Sequence, residues 1–251
     1  MKILAIHAHP DDIEILCAGT LALLKNAGHE IVLATLAPGD KGTPNKSQYE
    51  ISLIRRQEAA RSAALLGVDY HCLEFRDLEI FDDDPSRRTV TEFLRGIKPE
   101  IVLTASPTDY LIDHETTSVL VKFACFAAGA INYLTGKEPI MKGLPYFYYM
   151  DPIEGTDHDG KPLQPDFCVD ISSTMELKKQ MLACHESQRE WLRSHHGIDE
   201  YLDSMVALGK HRGEQSGFPY AEGFRQHVGH PFPQKNILAT LLPENQIKTF
   251  N

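Results

Sequence analysis

The stretch Lys2-Ile3-Leu4-Ala5-Ile6-His7-Ala8-His9-Pro10-Asp11-Asp12 carries both the first structural element and the first chemistry of the chain. Residues 2–8 form an apolar run with β-branched isoleucines and no polar alternation, which suits a strand buried on both faces of a parallel sheet. After the polar turn, Ile13, Leu16, Cys17, Thr20 and Leu24 recur at helical spacing until Asn26-Ala27-Gly28 stops the helix. Working outward, Ile31–Leu36 repeats the strand pattern and opens into a polar loop from Pro38 to about Gln48. A helix follows over Ile51–Leu66, capped by Gly67, then a weaker strand at Cys72–Phe75 and a short helix from Val90 to Ile97. A strand at Ile101–Thr104 runs into the loop 105–113.

Strands separated by helices imply right-handed βαβ crossovers. The expected fold is therefore α/β: a Rossmann-like, doubly wound, mostly parallel sheet with helices on both faces and an irregular C-terminal extension, in one domain over residues 1–251. The second half reads as a helix from Thr116 to about Asn132, an aromatic strand at Tyr146–Met150 and a strand at Phe167–Ile171. A charged helix is expected from Met175 to about His195, and an ordered loop over 212–235.

Composition narrows the function classes. The 251 residues include 25 Lys+Arg against 35 Asp+Glu, a formal charge of −10, the wrong sign for gathering nucleic-acid phosphates. No apolar run approaches the 18 or more residues of a membrane span, and the first residues are too short for a signal-peptide core, so a cytoplasmic protein is expected. The five cysteines are scattered, with no Cys-x-x-Cys pair, and are expected to be buried thiols. A homo-oligomer is the general expectation for a soluble enzyme.

His9, Asp11 and Asp12 occupy the first strand-to-helix turn, where an open α/β sheet presents its crevice. The turn has no glycine and two carboxylates, which excludes a dinucleotide phosphate cradle. Imidazole and carboxylate are ordinary ligands of a divalent cation. The i, i+3 spacing lets His9 and Asp12 face one point, which sends Asp11 elsewhere, free to accept a proton. The loop Ser106–His114 also follows a strand, and His114 is the natural third ligand. Three protein ligands leave a zinc position open for water, the signature of a hydrolytic rather than a structural site.

Ala8-His9-Pro10-Asp11-Asp12, the segment Arg55-Arg56-Gln57-Glu58-Ala59-Ala60 leading to Leu65-Leu66-Gly67-Val68, the Asp113-His114 pair and Tyr220-Ala221-Glu222-Gly223-Phe224-Arg225 resemble the PIG-L/LmbE-like family of zinc-dependent N-acetylglucosaminyl de-N-acetylases. The resemblance implies a metal-dependent deacetylase, a hydrolase of linear amides, acting on an N-acetylated amino sugar or glycoconjugate. It implies Zn2+ held by His9, Asp12 and His114, Asp11 as general base, and Arg55 as the substrate-binding arginine. Many members carry a second histidine three residues before the metal-binding one, where this chain has Leu111. Leucine cannot donate a hydrogen bond to a developing oxyanion, so His185, His227 and His230 become candidates for that duty.

Competing readings stand beside these. An aspartate after a strand also caps the next helix, and Arg55 and Arg56 also suit a solvated helix face pairing with Glu50 or Glu58. Two histidines and a carboxylate also spell the triad of non-haem Fe(II) oxygenases, which are usually built on a double-stranded β-helix. A carbohydrate-binding protein without turnover is the third reading. Pro38–Gln48 is a candidate lid, Tyr146–Tyr149 a candidate sugar-stacking strip, and Asp82-Asp83-Asp84 a solvated turn.

Overall fold

The computed structural model describes residues 1–196 and 201–250. Along the chain run β1 (Lys2–His7), α1 (Asp12–Leu16), α2 (Ala18–Asn26), β2 (Glu30–Thr35), α3 (Gln48–Leu66), β3 (Tyr70–Cys72), α4 (Asp84–Ile97), β4 (Ile101–Thr104) and α5 (Ile112–Ala127). There follow β5 (Tyr146–Met150), β6 (Phe167–Asp170), α6 (Met175–Ala183), α7 (Glu186–His196), α8 (Tyr201–Ser216), β7 (Ala221–Gln226) and β8 (Ile247–Thr249).

One eight-stranded sheet has the order β3-β2-β1-β4-β5-β7-β6-β8. The first five strands in that order pair in parallel, and β7 and β8 add antiparallel pairings at the far side. The expected α/β class and mostly parallel sheet are what the chain adopts. Strand β1 is buried on both faces: Ile3 and Ala5 enter the core beneath α1, α2 and α6, while Leu4 and Ile6 enter the core beneath α4 and α5. That is why the run has no polar alternation. The chain leaves β1 towards β2 on one side and reaches β4 on the other, so the order reverses between β1 and β4 and opens a crevice past their carboxyl ends.

Several boundaries differ from the sequence reading, each for a tertiary reason. The expected helix after the first turn breaks at Cys17 (φ −148°). The freed amides of Gly19 and Thr20 donate to the Glu222 carboxylate at 2.9 and 2.7 Å, and Glu222 is itself paired with the buried Lys178 at 2.5 Å. The charged helix likewise splits into α6 and α7 around Cys184 and His185. Residues 212–235 are not all loop: they contain the end of α8 and the whole of β7, which joins β5 to β6. The aspartate run is not merely solvated. Asp83 caps α4 by accepting the Ser86 amide at 2.9 Å. Helix α3 ends at left-handed Gly67, as expected, but begins three residues before the expected Ile51, at a capping box between Ser47 and Glu50. Among the described residues no helix is long and apolar enough to cross a membrane.

Candidate active site

The loop leaving β1 turns sharply at Asp11, which has φ +105° and is therefore strained for a residue with a side chain. The turn sends the two neighbouring carboxylates apart. Asp11 Oδ2 accepts the Tyr201 hydroxyl at 2.7 Å and lies 3.5 Å from the Arg55 guanidinium. Asp12, the first residue of α1, faces the histidines: Oδ2 accepts from His7 Nδ1 at 2.6 Å and from the His9 amide at 2.8 Å, while Oδ1 lies 3.4 Å from His114 Nε2. The two aspartates thus face different partners, and neither acts as a side-chain cap on α1.

From the other side of the crevice, the loop after β4 and the first turn of α5 supply His114 and two buried aspartates. His114 Nδ1 meets Asp109 Oδ1 at 3.0 Å, and His9 Nε2 meets Asp113 Oδ2 at 3.0 Å. Among the described residues, the ligand atoms that lie within 4.8 Å of one another belong to His7, Asp12 and His114. His9 sits beside them, with Nδ1 3.6 Å from Asp12 Oδ2 and its ring 5.4 Å from that of His114.

The charges fit a cation. Burial raises the Asp12 carboxyl, but the imidazoles of His7 and His114 outweigh it and hold Asp12 well below the ordinary carboxylate range. Burial lowers His9, yet its bonds to Asp113 and Asp12 push it up to about 10. His114 is raised against burial by the Asp12 charge and the Asp109 bond. Buried carboxylates thus favour the charged form of both imidazoles, and a divalent ion held by the same donors would compete with protons there. Asp11 behaves oppositely to Asp12: burial pushes its carboxyl up, Arg55 works against that, and the Asp12 charge adds to the rise. Two adjacent carboxylates therefore have separate environments, the arrangement that divides a ligand from a proton acceptor.

Arg55 reaches the site and forms part of its floor. It is 3% exposed, donates to Pro10 O at 2.7 Å and lies 3.5 Å from Gly39 O. Gly39 (φ +79°) is required there, because a Cβ would fall 2.2 Å from that guanidinium. Arg56 instead pairs with Glu74 at the surface. Above this floor opens a cleft of about 830 Å³, walled in part by Tyr110, Leu111, Trp191, Tyr201, Met205 and Leu208. Lys41 and Gly42 of the loop after β2 also face it. None of the three candidate oxyanion histidines lines it. His185 is buried against Glu14 at 3.1 Å, His227 packs among Phe147, Tyr149 and Phe232, and His230 is exposed. The strip Tyr146–Tyr149 is core strand rather than cleft wall. Sequence reasoning missed His7, which stands where the ligand atoms converge, as well as Tyr201, Asp109 and the partnership of Asp113 with His9. No spacing signal marks them, since each acts on a residue from a different loop or element or five positions away.

Residues 4–125 match the family model described as PIG-L, GlcNAc-PI de-N-acetylase. The chain is also 32% identical over 241 residues to a diacetylchitobiose deacetylase of Thermococcus kodakarensis, covering 89% of this chain and 82% of that one. The chain belongs to the PIG-L family. Its fold is similar to the crystal structure of an N,N'-diacetylchitobiose deacetylase from Pyrococcus horikoshii, with a TM-score of 0.76 at 27% identity, covering 94% of this chain and 88% of that chain. A 4-oxalmesaconate hydratase of Pseudomonas putida is 25% identical over 193 residues, 74% of this chain and 73% of that protein. This PIG-L fold is a mostly parallel open sheet with helices, not the double-stranded β-helix on which the oxygenase reading depended.

Proposed function

We propose that this PIG-L chain is a single-domain, zinc-dependent amide hydrolase that removes the acetyl group from an N-acetylated amino sugar or glycoconjugate. The reading is carried by one observation: past the carboxyl ends of β1 and β4, imidazoles converge on Asp12 while Asp11, one residue away, is turned to a separate position in the same cleft. Its relatives among diacetylchitobiose deacetylases support the substrate class.

His9, Asp12 and His114 would hold the ion. His9 and His114 each give their other ring nitrogen to a carboxylate, Asp113 and Asp109, the outer support expected of ligating histidines. When bound, zinc supplies Lewis-acid polarisation of the amide carbonyl and brings the pKa of a water to roughly 7. Asp11 accepts a proton from the attacking water, and its raised pKa suits both that step and the later return of the proton to the leaving nitrogen. With Oδ2 occupied by Tyr201, its other oxygen is the one left for the water. Arg55 braces the strained turn through Pro10 O and holds positive charge beside Asp11. Leu111 faces the cleft with no donor, while the bordering residues Tyr110, Trp191 and Leu208 offer ring and apolar surface to a sugar and its aglycone.

The hydratase relative favours one second reading, addition of water to an unsaturated acid, because activated water and a carboxylate base serve either reaction. Metal analysis followed by amine release from N-acetylglucosamine and N,N'-diacetylchitobiose separates the two. About one zinc per chain with chelator-sensitive amine release is expected. Hydration of 4-oxalmesaconate with no amine released from either sugar would overturn the deacetylase reading.

A further inference from the structure

Three histidines surround Asp12, and they are not equivalent. His9 and His114 are each tethered at one ring nitrogen by an outer carboxylate, and the opposite nitrogen lies towards Asp12, at 3.6 and 3.4 Å. His7 has the reverse arrangement. Its Nδ1 donates to Asp12 Oδ2 at 2.6 Å, and its Nε2 is buried with no hydrogen-bond partner. The two nitrogens of an imidazole point away from each other, so a ring whose Nδ1 faces Asp12 aims Nε2 out of the cluster. To become a ligand through Nδ1, His7 would have to surrender its bond to Asp12.

We propose that His7 is a positioning residue that fixes Asp12 for metal binding, although proximity alone groups it with the ligands. The inference rests on the metal reading above. Oδ2 of Asp12 receives two donors, the His7 ring and the His9 amide, which saturates that oxygen and locks the carboxylate plane. Oδ1 is thereby left as the atom turned to His114. The His7 ring is held at the end of β1 with no exposed surface, so it has no freedom to release the carboxylate. It adds a hydrogen-bonded outer partner for the carboxylate ligand, matching those of the two imidazole ligands, and such partners are typically worth 10–100-fold in metal affinity.

The test is zinc affinity, measured by competition with a chromophoric chelator, for the wild-type chain and for His7→Asn, His7→Gln and His7→Leu. An asparagine amide nitrogen falls where Nδ1 stood, whereas that of glutamine reaches the position of Nε2. The expected order is wild-type affinity within a few-fold for His7→Asn, and a loss of about 10–100-fold for His7→Gln and His7→Leu with full occupancy at saturating zinc. Circular dichroism of each variant separates misfolding from weakened binding, and His7→Asn keeps the test valid if His7→Leu fails to fold. Wild-type affinity in both His7→Gln and His7→Leu would overturn the inference. So would loss of the ion at saturation in His7→Asn with retention in His9→Ala, which would make His7 the ligand. A wild-type chain that binds no divalent metal would instead overturn the metal reading itself.

Discussion

Replacing Asp11 by asparagine separates proton transfer from metal binding. Asparagine tolerates positive φ better than most residues, so the turn at φ +105° survives the change. The amide still meets the Tyr201 hydroxyl, and Asp12 keeps its bonds from His7 Nδ1 and the His9 amide. What disappears is the group that can take a proton from water. General-base catalysis typically contributes 10²–10⁴-fold. At 1.36 kcal/mol per tenfold, the barrier rises by about 3–5 kcal/mol. The assay is amine release from N,N'-diacetylchitobiose beside zinc content. Turnover should fall by at least 100-fold with the metal retained. Turnover within tenfold of wild type in the zinc-loaded variant would refute Asp11 as the base.

Further outcomes follow from the same geometry. Tyr201→Phe removes the donor to Asp11 Oδ2 and should lower kcat by about tenfold with KM and zinc content unchanged; an effect on KM alone would make Tyr201 a substrate contact instead. Glu222→Gln leaves Lys178 buried without a counter-charge, so thermal unfolding should shift down by roughly 6–12 °C for about 3 kcal/mol, while zinc affinity stays the same. His185 is raised against its burial by Glu14. Its contribution to stability is therefore complete below about pH 6.5 and fades as pH rises through the folded-state pKa. Melting temperatures of the chelator-treated protein should fall over that range, and His185→Gln should lose that part of the slope.

The candidate metal and base residues were legible because two of them sit four or fewer positions from the end of a strand whose burial the apolar run announces. His9, Asp11 and Asp12 share one turn, and His114 lies in the first turn of the helix that follows a second strand. Arg55 was legible as a residue of the site, but its bond to Pro10 O and its place against Gly39 were not, because the loop around Gly39 is brought to it only in the fold. The break at Cys17 was invisible because its cause, the Glu222 carboxylate, lies more than 200 residues away. β7 was hidden for a similar reason, its short stretch of mixed residues becoming a strand only between β5 and β6.

By itself the sequence determined the alternating α/β order, the crevice-facing turn and a set of candidate donors within it, because hydrophobic periodicity and residue chemistry are local properties. Tertiary structure alone decided how those donors are shared. Which oxygen of Asp12 is saturated, which nitrogen of each histidine is tethered, and that Tyr201 from α8 meets Asp11 depend on side chains brought together from separate parts of the chain. A hydrogen bond or a shifted pKa is set by distances of a few ångströms and by burial, and neither is encoded in the spacing of residues along the chain.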